Sequence, residues 1–177
     1  MLKSRLCIAF FAFAVGCAPA QKPLTDYVNP MLGTATLWDS VDLGFKPTKR
    51  TWGAEVFPGS SLPNAMVQVS PVTKFHSGAG YQYEDSVIYG FTHTNKGHWN
   101  LCHIPLLPVT GTPTTGDYCS PFSHERESAA PGYYQVFLDR YGVDAQLSST
   151  LRCAFHKYTY PAGAAASLLA DLQRSNE

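Results

Sequence analysis

The sequence predicts an all-β fold of the sandwich or barrel class, built from short strands joined by many turns. The 177 residues include 10 Tyr, 10 Phe and 3 Trp, which favour strands, and 14 Gly and 13 Pro, which favour turns. Apolar residues alternate with polar ones along several segments, and no segment of comparable length repeats its apolar residues with the helical period of 3.6. Since 45% of the residues are hydrophobic, the chain is long enough to bury one core.

Residues 1–20 predict an export signal that precedes a folded domain of residues 21–177. The segment MLKSR carries positive charge, and the following LCIAFFAFAV is apolar but too short to span a bilayer as a helix. Cleavage could occur before Cys17, which would then carry a lipid anchor to a bacterial membrane, or after Ala20. We therefore expect an exported protein that is periplasmic, an outer-membrane lipoprotein, or secreted.

The segment before the first strand is predicted to be extended and then loop-like. Residues 21–34 form an extended lead-in with a turn at Gly33. Residues 35–63 contain many Pro and Gly and little periodicity, which predicts a long loop, and long ordered loops are usually functional. Regular alternation begins in residues 65–70, which predict the first strand.

Further strands are predicted where aromatic and aliphatic residues alternate with polar ones between turn residues. These segments are 81–91, 104–109, 133–149, 150–161 and 166–172. The sequence Asp-Arg-Tyr-Gly at 139–142 predicts a hairpin turn with Gly142 at the positive-φ position. In residues 150–161, one face carries Leu151, Cys153 and Phe155, and the other carries Arg152, His156 and Tyr158.

Several classes of function find no support in the composition or the motifs. Lys and Arg number 13 against 13 Asp and Glu, so no basic surface predicts binding to nucleic acid. A Gly-rich phosphate loop between a strand and a helix is absent, and so is the GxSxG motif of serine hydrolases. Nucleotide chemistry and serine hydrolysis are therefore not expected.

The cysteines of the domain are odd in number. Cys102, Cys119 and Cys153 remain after the signal, so at least one of them stays free or pairs with another molecule. A Cys102–Cys119 disulfide is compatible with export, whereas buried thiols acting as small apolar residues are the favoured interpretation.

No catalytic or metal-binding residue is predicted in this chain. His93, His98 and His103 are five residues apart with Cys102 adjacent, a spacing that gathers ligands neither on a helix nor on one face of a strand. A Cys/His/Asn nucleophilic arrangement of neighbours in sequence is equally unsupported. Glycosidic cleavage needs two facing carboxylates, and the sequence does not show which would face each other. The carboxylates considered are Glu55, Glu84, Asp85, Asp117, Glu125 and Glu127.

The stretch FTHTNKGHWN at 91–100 predicts one rim of a sugar-binding site. Pyranoses present an apolar C–H face and a ring of hydroxyls, so a site needs an aromatic platform beside planar amide or imidazole groups. Trp99 is the predicted platform, and Trp52 is a second one. An alternative, that both indoles serve core or interface packing, stays open. The predicted hydrogen-bonding partners are His93, Asn95, His98 and Asn100.

Six ordered blocks of the sequence resemble the N-terminal domain of glycoside hydrolase family 92, the calcium-dependent exo-α-mannosidases common in gut Bacteroidetes. The blocks occur in order between residues 27 and 161, and the resemblance runs over nearly all of the chain after the signal. They are YVNPMLGT, VFPGSSLPNAMVQVSPVT, GYQYEDSVIYGFTHT, LLPVTG, SHERESAAPGYYQV and FHKYTYP.

The resemblance implies an antiparallel β-sandwich of the galactose-mutarotase-like type, followed in full-length relatives by an (α/α)6 catalytic domain. In that family the second domain carries the general acid, the general base and the Ca²⁺ ligands, so this chain alone is expected to be inactive. Its implied partners are that catalytic domain and mannose-containing N-glycans. No Ca²⁺ site is expected in this chain itself.

The chain departs from the family pattern near the expected pocket. Asn95 stands where many relatives have a histidine, and the insertion at 35–52 is unusual. Trp99 is the predicted wall of the terminal sugar, with His93 and Asn100 as partners. Two alternatives stay open: a free-standing carbohydrate-binding or adhesin-like module, and a structural domain that binds no sugar.

Overall fold

The computed structural model describes residues 21–36, 44, 54, 56–96, 99–114 and 116–174. Within these residues the chain forms antiparallel sheets, and the helical segments are two short 3-10 turns, Leu24–Tyr27 and His124–Arg126. The predicted all-β fold and antiparallel β-sandwich are confirmed. The strands are β1 (Ser70–Val72), β2 (Val87–Ile88), β3 (Gly90–Thr92), β4 (Asn95–Lys96), β5 (Trp99–Asn100), β6 (Leu106–Thr110), β7 (Ser120–Pro121), β8 (Glu127–Ala130), β9 (Tyr133–Leu138), β10 (Val143–Ser149), β11 (Ala154–Thr159) and β12 (Ala166–Ala170).

The first sheet has the strand order β1-β3-β6-β12. Strands β1 and β3 are buried along their whole length, and β12 pairs with β6 from Ala166–Thr110 to Ala170–Leu106. Sequence alternation overestimated the length of these strands. Residues 65–68 lie outside any strand, because Met66 N donates to Leu151 O and Gln68 N donates to His93 O instead of to one neighbouring strand.

The second sheet has the order β11-β10-β9-β8, and its strands alternate regularly. In β9 the side chains of Tyr134, Val136 and Leu138 are buried, while their neighbours are partly exposed. Gly142 has φ 65° in the turn that joins β9 to β10, so the predicted hairpin is confirmed. This hairpin is regular because a tight turn fixes the register of both strands.

The core lies between the two sheets and is rich in aromatic rings. Phe91 on β3 contacts Tyr134 on β9, with ring centroids 6.5 Å apart, and Tyr158 on β11, at 6.4 Å. The predicted alternation of β11 is also observed: His156 and Tyr158 face the core, whereas Phe155 is 59% exposed on the outer face. An apolar ring therefore remains on the surface of this edge strand.

Cys102, Cys119 and Cys153 form no disulfide with one another. Cys102 is buried, Cys119 is half-buried and Cys153 is exposed, so the Cys102–Cys119 disulfide is not formed. Burial raises the pKa of the Cys119 thiol, which keeps it protonated at neutral pH. In the described ranges, no helix has the length and apolar character needed to cross a membrane. The predicted export signal lies outside these ranges.

Candidate functional site

The polar stretch identified in the sequence forms a short hairpin that projects from the first sheet. Strand β3 continues through His93 and Thr94 into β4, and β5 returns beside it, with Asn95 opposite Asn100 and Lys96 opposite Trp99. Leu101 N donates to Thr94 O at 3.1 Å, which closes the base of the β4–β5 hairpin. The hairpin thus leaves and re-enters the core sheet within a few residues.

Asn100 fixes this hairpin to the core. Its side chain is fully buried, and its Oδ1 accepts hydrogen bonds from Thr92 Oγ1 (3.1 Å) and from Cys102 N (2.8 Å). Its Nδ2 donates to Ser70 Oγ at 3.0 Å. The amide therefore joins β1, β3 and β5, and this geometry supports a positioning role. The sugar contact predicted for Asn100 stays a prediction.

Gly80 makes room for the Asn100 amide. It has φ +72°, and a Cβ built on it would lie 2.6 Å from Asn100 Nδ2. Any larger residue would be strained by its backbone conformation and would displace the amide. The turn before the hairpin thus requires glycine for a reason that local sequence does not reveal.

Trp99 lies on the opposite face of the hairpin from Asn100, as expected for neighbours in a strand. It is 39% exposed, so part of the indole is available to a partner. The predicted stacking residue Trp99 is therefore partly exposed, and the β4–β5 hairpin that carries it is anchored in the core through Asn100. The other predicted platform, Trp52, and the predicted partner His98 lie outside the described residues.

His93 belongs to a chain of three polar side chains that crosses the sandwich. His93 Nε2 lies 2.7 Å from His156 Nε2, and His156 Nδ1 lies 2.6 Å from Tyr158 Oη. Burial lowers the pKa of His93, and burial together with the nearby His93 lowers the pKa of His156 to about 4. Both imidazoles are therefore neutral at neutral pH, with one Nε2 donating and the other accepting.

Three buried polar atoms beside the hairpin have no hydrogen-bond partner within the described part of the chain: Gln68 Oε1, Thr94 Oγ1 and Asn95 Oδ1. Two hydrogen bonds hold the segments of these residues side by side: Gln68 N donates to His93 O at 3.3 Å, and Asn95 Nδ2 donates to Gln68 O at 3.0 Å. Leaving one such atom unpaired costs about 1–3 kcal/mol. Asn95 was predicted from sequence, whereas Gln68 and Thr94 were missed because they looked like ordinary strand and loop residues.

A groove of about 730 Å³ has Gln68 among its lining residues. Within the described part of the chain, none of its lining residues is charged. Leu24, Val28 and Leu62 line it and remain exposed to solvent. The lining residues come from the lead-in segment, the loop 56–63 and the β8–β9 turn: Leu24, Thr25, Val28, Pro30, Val56, Phe57, Gly59, Ser61, Leu62, Pro63, Gln68, Ala130, Pro131 and Gly132.

A second polar cluster surrounds Glu127, one of the carboxylates considered in the sequence. Its side chain is 1% exposed, and its oxygens accept hydrogen bonds from Tyr81 Oη (3.0 Å) and Tyr134 Oη (2.6 Å). His124 Nδ1 lies 2.5 Å from Glu127 Oε2, while His124 Nε2 donates to Tyr83 O at 2.7 Å. Burial and the adjacent carboxylate raise the pKa of both tyrosines. Every polar group of this cluster has a partner in the domain.

Two more of the carboxylates considered in the sequence, Glu84 and Asp85, also accept hydrogen bonds within the domain. Glu84 Oε1 accepts from Thr36 N at 2.7 Å, and Asp85 Oδ2 accepts from Thr73 Oγ1 at 2.8 Å. In the ranges that the structure describes, no group of three or more His, Cys, Asp or Glu side chains could hold a metal ion. The ligation of Ca²⁺ by another domain stays a prediction.

Comparisons with known proteins agree on one family. The profile of the glycosyl hydrolase family 92 N-terminal domain matches residues 27–177. The family GH92 alpha-mannosidase BT3965 from Bacteroides thetaiotaomicron, solved with mannoimidazole, is similar to the chain with a TM-score of 0.72 and 30% sequence identity, over 87% of this chain and 20% of that one. No curated protein sequence matches the chain significantly.

Two further solved structures show the same similarity. The gh92 family glycosyl hydrolase ccman5 has a TM-score of 0.65 and 29% identity, over 86% of this chain and 21% of that one. The inverting mannosidase BT2199 from Bacteroides thetaiotaomicron VPI-5482 has a TM-score of 0.65 and 25% identity, over 85% of this chain and 20% of that one. The chain thus spans about a fifth of the length of these proteins.

Proposed function

The chain belongs to glycosyl hydrolase family 92 as its N-terminal domain, and from this premise we propose that it contributes carbohydrate-binding residues to the cleft of an exported α-mannosidase. The substrates are mannose-containing N-glycans. Inverting exo-hydrolysis requires the (α/α)6 catalytic domain, which supplies the acid, the base and the Ca²⁺ ligands. The observation that carries the proposal is the partly exposed Trp99 on a hairpin fixed in the core.

A sugar-stacking ring must be both accessible and held in place. The indole of Trp99 is 39% exposed, and the next residue, Asn100, is hydrogen-bonded to two core strands. A fixed platform loses little conformational entropy when a ring stacks on it, which favours binding. This arrangement supports Trp99 as the wall of a sugar subsite.

The imidazole chain behind the hairpin suits an uncharged ligand. His93 and His156 share one proton between their Nε2 atoms, and their lowered pKa values keep both rings neutral at neutral pH. Neutral rings can exchange hydrogen bonds with sugar hydroxyls without burying a charge. His93 is therefore the proposed hydrogen-bonding partner of the sugar.

The groove, whose described lining is uncharged, and its exposed apolar residues support docking of the catalytic domain. Leu24, Val28 and Leu62 line it and are 79%, 55% and 38% exposed, and apolar residues that cluster on a surface can mark an interaction site. The match covers about a fifth of each relative, so most of each relative lies outside the part that this chain matches. We assign the groove to the catalytic domain, because its apolar lining fits a protein face better than a glycan.

A binding experiment tests the sugar site directly. Ligand-observed NMR on the purified chain should detect methyl α-D-mannoside, and Trp99→Ala should weaken its binding by about fivefold, equivalent to ~1 kcal/mol. Phe155→Ala is the matched control, because Phe155 is an exposed aromatic residue on the outer face of β11. The absence of binding by the wild-type chain, or equal binding by Trp99→Ala, would contradict the proposal.

An activity assay tests whether the catalytic acid and base lie outside this chain. The chain alone, supplied with an aryl α-mannoside and Ca²⁺, is expected to show no turnover, since the proposed acid and base lie in another domain. Turnover above the uncatalysed rate would place them in this chain. The relatives named above are glycosyl hydrolases, which does not favour a free-standing binding module.

A further inference from the structure

We propose that Gln68, Thr94 and Asn95 form a second hydroxyl-binding pocket, which holds a sugar unit other than the one that stacks on Trp99. The inference rests on the proposed function and adds a subsite to it. We call this set of three residues the acceptor pocket.

The acceptor pocket consists of polar atoms that the described fold leaves unpaired. Gln68 Oε1, Thr94 Oγ1 and Asn95 Oδ1 are all buried, and no hydrogen-bond partner for them exists among the residues that the structure describes. The hydrogen bond from Asn95 Nδ2 to Gln68 O holds the Asn95 side chain against the backbone of Gln68. Native proteins contain only a few such atoms, so three in two adjacent segments indicate a missing partner.

The chemistry of the three atoms selects the class of ligand. Two amide oxygens only accept hydrogen bonds, and the Thr94 hydroxyl can either donate or accept. A sugar hydroxyl also does both, so a neutral polyol satisfies all three atoms. Among these three residues, an anion would find no charged donor. A Ca²⁺ ion, which takes six to eight oxygen ligands and prefers carboxylates, would find too few.

Position in the hairpin separates this pocket from the stacking platform. Asn95 is paired with the inward-facing Asn100, whereas Trp99 is paired with Lys96, so Asn95 and Trp99 lie on opposite faces of the β4–β5 hairpin. Gln68 is also a lining residue of the groove. A ligand that engages both Trp99 and the pocket must therefore extend beyond one sugar unit.

Apolar isosteres test the pocket. The double variant Gln68→Met/Thr94→Val removes two unpaired atoms with little change in volume. We expect it to bind the branched trimannoside of N-glycan cores at least fivefold more weakly than wild type, while its affinity for methyl α-D-mannoside is unchanged. The urea midpoint of the double variant should equal or exceed that of wild type, because no existing hydrogen bond of these atoms is lost.

Thr92→Val is the matched control for stability. Thr92 is also buried, but its hydroxyl donates to Asn100 Oδ1, so this variant should lower the urea midpoint. A comparable drop in the double variant would overturn the proposal, because it would show that the atoms are already paired. Equal trimannoside binding by wild type and the double variant, with weaker binding by Trp99→Ala, would also overturn the pocket and leave the proposed function intact. Failure of wild type to bind either sugar would overturn both.

Discussion

Two buried polar regions of this domain differ in how completely their groups are paired. At the Glu127 cluster, the carboxylate accepts from Tyr81, Tyr134 and His124, and the remaining imidazole nitrogen of His124 reaches a backbone carbonyl. At the acceptor pocket, three polar atoms have no partner within the described ranges. The fully paired Glu127 cluster stabilises the fold, whereas the unpaired atoms of the acceptor pocket are available to a ligand. A structural group is thus distinguished from a candidate binding group by whether its hydrogen bonds are already made within the domain, and not by its burial.

Mutation of the Glu127 cluster should lower the stability of the domain more than mutation of the acceptor pocket. Glu127→Ala leaves two tyrosine hydroxyls and one imidazole without their acceptor, so we expect the free energy of unfolding to fall by about 3 kcal/mol or more, measured by urea denaturation. Glu125→Ala is the control, because this exposed neighbour should change stability by no more than about 0.5 kcal/mol. A loss below about 1 kcal/mol at Glu127 would remove the contrast between the clusters.

The contact between Gly80 and the Asn100 amide, at the base of the β4–β5 hairpin, should have the next largest effect on stability. Gly80→Ala combines a positive φ with a clash against the Asn100 amide, and should cost about 2 kcal/mol or more. Gly163→Ala is matched to it, since Gly163 has φ +75° with no atom within 4 Å of an added Cβ, and should cost about 1 kcal/mol. Urea denaturation of both variants isolates the contribution of the clash. Equal losses would mean that Asn100 moves aside without cost.

The histidine pair gives the sandwich a pH dependence. The folded pKa of His156 is about 4, whereas an unfolded histidine titrates near about 6.5. The unfolded chain therefore binds more protons between these values, and stability should fall as the pH is lowered from 6.5 towards 4. The double variant His93→Gln/His156→Gln should lose less stability over this window, measured as the thermal midpoint at several pH values. Parallel curves for the two proteins would contradict this assignment.

Trp99 should show the smallest effect on stability. Part of its indole faces solvent, so Trp99→Ala is expected to change the free energy of unfolding by less than about 1 kcal/mol, although it weakens mannoside binding. Phe91→Ala provides the contrast, because this fully buried ring should cost about 3–5 kcal/mol. Comparable losses in the two variants would mean that Trp99 serves core packing, the alternative that the sequence left open.

The candidate site was predictable only in part. The combination of Trp99 with Asn95 and His93 could be found because aromatic, amide and imidazole groups cluster within a few residues of sequence. Gln68 was missed, since it lies in a segment whose pattern predicts a regular strand. Its backbone is held at the hairpin by hydrogen bonds to the His93 carbonyl and from the Asn95 side chain. Glu127 could be considered only as one of six carboxylates, because its partners Tyr81 and Tyr134 are selected by packing.

The amino-acid sequence by itself determined the all-β class, the hairpin at Gly142, the family and the polar stretch that ends in Trp99. These follow from local rules, since strand alternation, turn chemistry and ordered motifs are properties of neighbouring residues. The tertiary structure decided which polar groups meet. His93 and His156 are 63 positions apart, and Tyr81 and Glu127 are 46 apart. Their pairing depends on how two sheets pack face to face, which no local pattern encodes.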